Sequence, residues 1–248
     1  MNKLVIITGA SRGIGAATAK LAAAQGYDVC ISYLSNADAA NDVVADVQAQ
    51  GRRAIAVQAD LGHEADVERL FETVDRDLGP ITALVNNAGV LETHSRLDDM
   101  TWARWQRVFQ TNVFGAFAAS RAAVKRMSTK HGGQGGVIVN VSSIASRLGS
   151  PNEYVDYAAS KAAVDTMTMG LAKEVAGEGV RVNAVRPGIV LTDIHASGGE
   201  ADRPARIAPT IPMRRAGDAD EIANTVLWLM SDEASYVTGS LLDVSGGR

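Results

Sequence analysis

Short apolar runs rich in β-branched residues alternate along the chain with longer alanine-rich segments whose apolar residues recur at helical spacing. The apolar runs predict strands at Leu4–Ile7, Asp28–Tyr33, Ala54–Gln58, Ala83–Asn86, Val137–Val141, Val180–Val185 and Ser240–Val244. The longer segments predict helices near 14–25, 37–50, 64–78, 101–130, 154–177 and 218–230. Alternation of this kind builds a parallel sheet, and strands that are apolar on both faces need helices on both sides. The pattern therefore predicts an α/β protein with a seven-stranded parallel sheet.

The last quarter of the chain contains the main irregularity in this pattern. No linker of distinct composition divides the 248 residues, so we expect one domain over 1–248. The segment 193–215 is rich in Gly, Pro and Arg and has no clear periodicity. Such a segment inside a compact domain is usually functional, and we expect a substrate lid there. Asp218 and Glu221 have the spacing of a capping box, which places the start of the last helix.

Charge, cysteine and histidine content narrow the classes of partner. The 24 basic and 28 acidic residues give a net charge of −4 without a basic stripe interleaved with aromatics, so nucleic-acid binding is not expected. The histidines are scattered without metal-ligand spacing, so no metal site is expected. Cys30, the single cysteine, lies in an apolar run, which indicates a buried thiol in a reducing compartment. Leu4–Ile7 is too short for a signal sequence or a membrane span, and we expect a cytoplasmic protein.

Glycines lie where the first strand becomes the first helix, in Thr8–Gly15. Glycine permits a tight turn and lets a pyrophosphate approach the amide groups at the positive end of a helix. The same glycines would also suit a tight strand–helix turn that needs them only for packing. The position between strand and helix favours a dinucleotide site.

The end of the second strand bears on the choice of dinucleotide. An NAD site usually has a carboxylate about 20 residues past the glycines, on the ribose hydroxyl. This chain has Tyr33-Leu34-Ser35-Asn36 there, and its first carboxylate is Asp38, inside the predicted helix. Arg12 could pair with a 2′-phosphate, assisted by Ser35 or Asn36, although a solvated loop arginine is the alternative. NADP(H) is favoured, and NAD(H) remains an alternative.

Polar residues follow three further strands: Asp60 the third, Asn86–Gly89 the fourth, and Ser142 with Ser143 the fifth. An open α/β sheet binds its ligand at these carboxyl ends, although Asp, Asn and Gly are also ordinary turn residues. Neither Ser142 nor Ser143 stands in a Gly-x-Ser-x-Gly sequence, so a serine here is interpreted as a hydrogen-bond donor to a carbonyl oxygen and not as a nucleophile. Pleating points only one of the two serines inward.

Tyr157 and Lys161 are four residues apart in a predicted helix. That spacing puts their Cβ atoms about 5–6 Å apart on one face. A nearby ammonium favours the phenolate, so we expect Lys161 to lower the pKa of Tyr157 and make it a general acid. Taken alone, the spacing is also that of an ordinary helix-surface contact. Tyr154 has Ala158 four residues beyond it, without an ammonium, so the acid is assigned to Tyr157.

Three segments of the chain resemble motifs of the short-chain dehydrogenase/reductase family, and they occur in the same order. Thr8–Gly15 resembles its glycine motif, Asn86–Gly89 its Asn-Asn-Ala-Gly motif and Tyr157–Lys161 its Tyr-x-x-x-Lys motif. The resemblance covers nearly the whole chain and implies a doubly wound Rossmann fold that binds NAD(P). The catalytic set that it implies is Asn112, Ser143, Tyr157 and Lys161. The cofactor-binding residues are Gly9, Ser11, Arg12, Gly13, Ile14, Gly15, Ser35, Asp60, Leu61, Asn87, Ala88, Gly89, Tyr157, Lys161, Pro187, Gly188 and Thr192.

The resemblance also implies individual roles. Asn112 would hold a proton-relay water, and Lys161 would bond the nicotinamide ribose. Asp60-Leu61 would contact adenine, while Pro187-Gly188 and Thr192 would contact the nicotinamide carboxamide. Ser143 takes the catalytic position, so Ser142 is expected to be structural. Subunit contacts through the last strand and the long helices imply a homotetramer.

The sequence thus predicts a reversible, NADP(H)-dependent reduction of a carbonyl to an alcohol by hydride transfer, with Tyr157 as general acid. The alternatives are an NAD-dependent alcohol, polyol or hydroxysteroid dehydrogenase, and a dinucleotide-binding regulator without turnover. The substrate is expected to be a small carbonyl or alcohol, or a carrier-bound acyl group as in related ketoreductases. Arginines in and beside the expected lid would meet an acidic substrate or carrier, or are solvated or structural: Arg203, Arg206, Arg214 and Arg215.

Overall fold

The computed structural model describes residues 3–248, whose strands form one parallel sheet in the order β3-β2-β1-β4-β5-β6-β7. The strands are β1 (Lys3–Ile7), β2 (Tyr27–Tyr33), β3 (Ala54–Gln58), β4 (Ala83–Asn86), β5 (Gly136–Val141), β6 (Val180–Pro187) and β7 (Leu241–Val244). From β1 the chain first builds outward to β3, then crosses back to place β4 on the other side of β1. This reversal between β1 and β4 is the point at which open α/β sheets bind ligands.

Helices cover both faces of the sheet, as predicted. They are α1 (Gly13–Ala24), α2 (Ala37–Gln48), α3 (Glu64–Asp77), α4 (Trp102–Phe109), α5 (Ala116–Met127), α6 (Ala145–Leu148), α7 (Val155–Val175), α8 (Ile194–Ser197), α9 (Arg203–Ile207) and α10 (Ala219–Met230). The predicted capping box precedes α10, where the Asp218 amide donates to Glu221 Oε2 at 2.8 Å. Among the helices of residues 3–248, none combines the length and apolarity needed to cross a bilayer.

Alternating residues of the strands fill two apolar layers. Val5 and Ile7 of β1 face the layer formed with α1, α2 and α10. Leu4 and Ile6 face the layer formed with α3, α5 and α7, which also buries Cys30 completely. The pleat thus sends successive side chains of one strand into different helical layers. The predicted doubly wound fold is confirmed.

The predicted continuous helix over 101–130 is wrong in one respect. Between α4 and α5 the chain forms a π-helical segment, Gln110–Gly115, with wider turns than an α-helix. Gly115 packs so closely on the loop after β3 that a Cβ atom there would lie 2.6 Å from the Leu61 carbonyl oxygen. Asn112, inside the wide turn, is almost fully buried. π-helical turns are often found at functional sites.

The expected lid, 193–215, contains the short helices α8 and α9 and a 3₁₀ turn at Ala208–Thr210. Ile207 and Ile211 pack with Ile189 in a small apolar cluster. Short helices of this kind leave little periodic signal in the sequence, which is why the segment is unpatterned.

Beneath the site, a buried chain of polar side chains ties the sheet to α5 and α7. The Asn86 amide donates to Ser120 Oγ at 2.9 Å and to Asn140 Oδ1 at 2.8 Å. The Asn140 amide in turn donates to Thr168 Oγ1 at 2.8 Å, and that hydroxyl donates to the Val164 carbonyl oxygen. Each buried group has a partner, so the chain fixes the registry of helices and strands without an orphaned polar atom.

Replacing Thr168 with Val should lower the free energy of unfolding by about 1–2 kcal/mol, because the buried Asn140 amide loses its acceptor. Urea unfolding at fixed protein concentration measures the change. Thr73→Val, at a half-exposed position of α3, is the matched control and should change stability by less than about 0.5 kcal/mol. Equal effects in the two variants would contradict the role given to this chain of side chains.

Candidate active site

A cavity of about 620 Å³ opens at the carboxyl edge of the sheet, above the neighbouring strands β1 and β4. The predicted site residues that line it are Gly9, Ser11, Arg12, Gly13, Ile14, Ser35, Asp60, Leu61, Asn87, Ala88, Gly89, Ser143, Tyr157, Lys161, Pro187, Gly188 and Thr192. Gly15 and Asn112 are buried behind the wall of the cavity. Segments distant in the sequence therefore meet at one edge, as the topology requires.

The glycine loop after β1 packs directly on the loop after β4. A Cβ atom on Gly9 would lie 2.8 Å from Ala88 Cα, and one on Gly15 would lie 2.6 Å from Asn87 Nδ2. The Asn87 amide donates to the Thr8 and Gly9 carbonyl oxygens, both at 2.9 Å. Asn87 therefore braces the glycine loop through its side chain, and Gly15 is needed for this packing.

Thr8 holds the same contact from the other side. Its Oγ1 accepts hydrogen bonds from the backbone amides of Asn87 and Ala88, each at 3.0 Å. Ser32, at the end of β2, accepts from the Gly9 amide at 3.1 Å. Sequence reasoning assigned no role to either hydroxyl, although Thr8 stands first in the glycine motif.

The residues present fit a dinucleotide. Gly9 and Gly13 have φ values of +61° and +56°, a region that favours glycine, and their missing side chains leave the backbone open toward the cavity. Gly13 begins α1, so the positive end of this helix faces the cavity. A Cβ atom on Gly13 would lie 3.3 Å from Thr192 Cγ2, which brings the start of the 193–215 segment onto the glycine loop.

Arg12 and Ser35 also line the cavity. Arg12 is exposed, and its Nη2 donates to Ser197 Oγ of α8 at 3.4 Å. Asn36 is committed to capping α2, because its Oδ1 accepts from the Ala39 amide at 3.0 Å. Asp60 accepts from the Gly62 amide at 2.8 Å and lies 3.2 Å from His63. Within residues 3–248, no group of three His, Cys, Asp or Glu side chains is arranged to hold a metal ion.

α7 carries Tyr157 and Lys161 on its cavity side. Lys161 is 5% exposed, and its Nζ donates to the Val141 carbonyl oxygen at 2.8 Å, 5.7 Å from the centre of the Tyr157 ring. Ser142 is buried, and its hydroxyl donates to the Lys161 carbonyl oxygen at 3.1 Å, which is the structural role expected for it. Ser143 lines the cavity beside Tyr157. The end of β5 thus fixes both the lysine and the serine.

Asn112 lies behind Lys161, across Gly89. A Cβ atom on Gly89 would lie 3.4 Å from both Asn112 Oδ1 and Lys161 Nζ. The Asn112 side chain is engaged within the protein: Oδ1 accepts from the Val90 amide at 2.8 Å, and Nδ2 donates to Ser160 Oγ at 3.1 Å. Nδ2 also donates to the Val90 carbonyl oxygen at 3.1 Å, so any further contact of the side chain would be accepted by Oδ1.

The expected lowering of the pKa of Tyr157 by Lys161 is wrong for this structure. Burial raises the pKa of Tyr157 to about 12, and the Ser143 hydroxyl acts in the opposite direction. Burial also lowers the pKa of Lys161 to about 8, although the Asp165 carboxylate raises it. In both cases desolvation, which disfavours the charged form, is the largest cause, and Lys161 is not among the groups that shift the pKa of Tyr157.

Sequence reasoning missed a buried ion pair that holds the start of α7. Arg104 of α4 binds Asp156 in bidentate fashion, with Nε 2.6 Å from Oδ2 and Nη2 3.1 Å from Oδ1. Asp156 Oδ1 also accepts from the Tyr157 amide at 2.9 Å, and Arg104 Nη1 donates to the Thr93 carbonyl oxygen. Removing one partner of such a pair typically costs about 3–5 kcal/mol. The available signal was Arg104 itself, four residues before Val108 on the buried face of its helix.

The arginines considered for an acidic ligand are bound within the chain. Arg203 is buried, 2.6 Å from Glu153 and 3.2 Å from Glu200. Arg206 lies 2.5 Å from Glu200 and 3.6 Å from Glu153, so the two arginines are balanced by two carboxylates. The remaining two are exposed and also have partners within the chain: Arg215 pairs with Glu221 at 2.6 Å, and Arg214 donates to the Pro209 carbonyl oxygen. Their structural role is favoured over recognition of an acidic group.

Comparison with known proteins gives likenesses over the full length of the chain. A family model described as enoyl-(acyl carrier protein) reductase matches residues 9–248. The uncharacterized oxidoreductase YgfF of Escherichia coli K12 is 53% identical over 245 residues, 99% of each chain. The 3beta-hydroxysteroid dehydrogenase 1 of Eggerthella lenta is 40% identical over 247 residues, 99% of this chain and 93% of its own.

A solved structure supports the same relationship. The crystal structure of a short chain dehydrogenase from Burkholderia cenocepacia, in complex with NADP, is 37% identical and superposes with a TM-score of 0.91, covering 100% of this chain and 98% of that chain. The chain therefore belongs to the short-chain dehydrogenase/reductase family and is an oxidoreductase that acts on CH–OH groups with NAD(P).

Proposed function

We propose that the enzyme is an NADP(H)-dependent carbonyl reductase that converts a carbonyl to an alcohol reversibly. The observation that carries this proposal is the placement of Ser143, Tyr157 and Lys161 together on the wall of the cavity that the glycine loop enters. A hydroxyl donor, a phenol and an ammonium on one wall suit an oxygen atom that gains negative charge. When bound, the dinucleotide supplies or accepts the hydride.

The cofactor is proposed to lie along the glycine loop and the loop after β4. Gly9, Gly13 and Ile14 would hold its pyrophosphate, because the N-terminus of α1 favours an anion there. Asp60 and Leu61 would contact the adenine, and Pro187, Gly188 and Thr192 the nicotinamide carboxamide. All these residues line the cavity.

Tyr157 is proposed as the general acid in the direction of reduction. Because burial raises its pKa to about 12, the phenol is protonated near neutral pH and can donate a proton to the substrate oxygen. The Ser143 hydroxyl would bond the same oxygen, and it lowers the pKa of Tyr157, which means that it stabilises the phenolate left behind. Lys161 is cationic at neutral pH, since its pKa of about 8 is above that value.

Lys161 and Asn112 would return the proton to Tyr157. The ammonium of Lys161 lies 5.7 Å from the centre of the Tyr157 ring and would also bond the nicotinamide ribose. Asn112 would order a water next to Lys161, since its Oδ1 accepts only one hydrogen bond from the protein.

NADP(H) is proposed as the preferred dinucleotide. Arg12 is exposed and lines the cavity, as does Ser35, which follows β2, and a carboxylate is lacking among residues 33–36. The similar Burkholderia cenocepacia structure contains NADP. An NAD-dependent hydroxysteroid dehydrogenase is the second candidate, on the 40% identity to the Eggerthella lenta enzyme.

A small uncharged carbonyl compound is the proposed substrate class. The ion pairs of Arg203 and Arg206 with Glu153 and Glu200 neutralise the substrate end of the cavity, which disfavours an acidic carrier protein there. The 193–215 segment is proposed to act as the lid, since Ile194 and His195 line the same cavity.

A homotetramer in the cytoplasm completes the proposal. Phe114, just before α5, exposes 58% of its surface, and Phe117 of α5 exposes 49%. Met169 of α7 exposes 39%. The family resemblance implies that subunits contact one another through these two helices. The single, buried Cys30 suits a reducing compartment.

Replacing Tyr157 with Phe should lower kcat for carbonyl reduction by at least about 100-fold, because the proton donor is removed while the ring remains. The dissociation constant for NADPH should change by less than about twofold. Steady-state kinetics across a panel of ketones and fluorescence titration of NADPH measure the two quantities. Tyr236→Phe, at a fully exposed tyrosine, is the control. Retained turnover in the Tyr157 variant would refute the assignment.

The lowered pKa of Lys161 predicts a pH-dependent stability. Between its folded pKa of about 8 and its ordinary value of 10.5, the unfolded chain binds a proton that the folded chain does not, so stability rises with pH. The rise attributable to Lys161 is about 1.5 kcal/mol between pH 8 and 9.5. Urea unfolding at fixed protein concentration should show it in the wild type and not in Lys161→Met. Lys173→Met, an exposed position of the same helix, should keep it; loss of the rise in both variants would count against burial of Lys161 as its cause.

Arg12 should determine the preference for the phosphorylated dinucleotide. We expect Arg12→Ala to weaken NADPH binding by about 10-fold or more and to leave NADH binding within about twofold, because only NADPH carries the 2′-phosphate. Titration with both dinucleotides measures the ratio. Arg76→Ala, an exposed arginine of α3, is the control. An unchanged NADPH to NADH ratio would favour the NAD-dependent candidate.

A further inference from the structure

The backbone of Tyr157 is held by side chains at both of its polar groups. Its amide donates to Asp156 Oδ1 at 2.9 Å, and its carbonyl oxygen accepts from Ser160 Oγ at 2.7 Å. Asp156 is bound in turn by Arg104 of α4. Ser160 accepts from Nδ2 of Asn112, in the π-helical segment that follows α4, at 3.1 Å. The residue assigned as general acid is thus fixed from one neighbouring stretch of the chain.

Arg104 also holds the loop after β4, on the other side of the guanidinium. Its Nη1 donates to the Thr93 carbonyl oxygen at 2.5 Å. Thr93 stands two residues after Leu91, and both Val90 and Leu91 line the cavity. All three guanidinium nitrogens are therefore used, two of them on the start of α7 and one on a loop that lines the cavity.

Stability alone does not account for a buried ion pair at this place. Arg104 and Asp156 are 7% and 4% exposed, so both charges have lost most of their hydration. Their attraction roughly offsets that cost, and an apolar pair of similar volume is often equally stable or more stable. An apolar pair does not supply direction, whereas a planar guanidinium holds a carboxylate at two points. The pair is therefore suited to fixing an orientation.

We propose that Arg104 is a positioning residue for the reaction. Through Asp156 it sets the place of Tyr157, and through Thr93 it sets the cavity loop relative to that tyrosine. This proposal rests on the proposed function, in which Tyr157 is the general acid. A general acid must lie within hydrogen-bond reach of the substrate oxygen, and a misplacement of about 1 Å can cost about 100-fold in rate. Because Arg104 does not line the cavity, its loss should lower kcat and spare NADPH binding.

Three variants separate positioning from stability. Arg104→Lys keeps a positive charge beside Asp156 but cannot reproduce the planar, two-point contact. The double variant Arg104→Met/Asp156→Leu replaces the pair with apolar side chains, so neither charge is left buried alone. Val226→Ala is the control for lost stability, because Val226 is fully buried on α10, in the apolar layer formed with α1 and α2.

In both Arg104 variants kcat for carbonyl reduction should fall by about tenfold or more, while the dissociation constant for NADPH stays within about twofold. Val226→Ala should lower Tm and leave kcat within about twofold. Steady-state kinetics well below each Tm, where every variant is folded, give kcat, and fluorescence titration gives the dissociation constant. Where the double variant does not fold, Arg104→Lys alone decides.

Three results would overturn the proposal. The first is an unchanged kcat in either folded Arg104 variant. The second is a loss of kcat in Val226→Ala as large as that in the Arg104 variants, because lost stability would then explain both. The third is a parallel weakening of NADPH binding, which would indicate a general disruption of the site.

A spectroscopic measurement keeps this proposal separate from the assignment of Tyr157 as the acid. In protein labelled with 3-fluorotyrosine, each of the five tyrosines contributes a fluorine signal, and Tyr157→Phe identifies that of Tyr157. This signal should shift or broaden in both Arg104 variants and stay unchanged in Val226→Ala. If Tyr157→Phe retains turnover, the proposed function fails, while the change of the signal still supports positioning by Arg104. A Tyr157 signal that is unchanged in the Arg104 variants overturns the proposal.

Discussion

The close contact between the glycine loop and the loop after β4 is the constraint on which the rest of the site depends. Gly9 and Gly15 can approach Ala88 and Asn87 only because they lack side chains. The hydrogen bonds of Asn87 and Thr8 then turn this approach into a fixed geometry. Backbone geometry here determines where α1 begins and where the cavity opens. Ser143, Tyr157 and Lys161 form the catalytic wall of the cavity, which is built from the end of β5 and from α7. This wall can act on a substrate only because the glycine loop and the loop after β4 are held in place on the opposite side.

The catalytic wall illustrates how a protein holds charge in a buried place. Lys161 is bound to a backbone carbonyl oxygen, and α7 is held at its start by the Arg104–Asp156 pair and further along by Thr168. Each of these three contacts joins two different elements, so the elements cannot shift independently. Stability itself comes mainly from the two apolar layers on the faces of the sheet. The polar contacts select one arrangement among the many that would bury the same apolar area.

The parts of the fold that leave a short-range pattern of residues could be predicted from the sequence. Strand and helix positions followed from alternation, and the site motifs followed from residues within eight positions of one another. The Arg104–Asp156 pair was not predictable in this way, because its partners are 52 residues apart and nothing near either one indicates the other. The pKa of Tyr157 was mispredicted for a related reason: spacing on a helix reports the distance to Lys161 but not the desolvation produced by other segments. The short helices α8 and α9 were missed because they are too brief to show periodicity.

The π-helical segment 110–115 has a consequence for insertions and deletions. Each residue of an α-helix turns the chain by about 100°, so the length of this segment sets the rotational phase between α4 and α5. In the present phase α4 directs Arg104 toward the start of α7, while α5 directs Ser120 toward Asn86. Loss of a single residue from the wide turn would rotate α5 by roughly a quarter of a circle relative to α4. Ala119, Ala123 and Met127 would then leave the apolar layer. The number of residues in this segment is therefore under a stricter constraint than the identity of an exposed member such as Phe114.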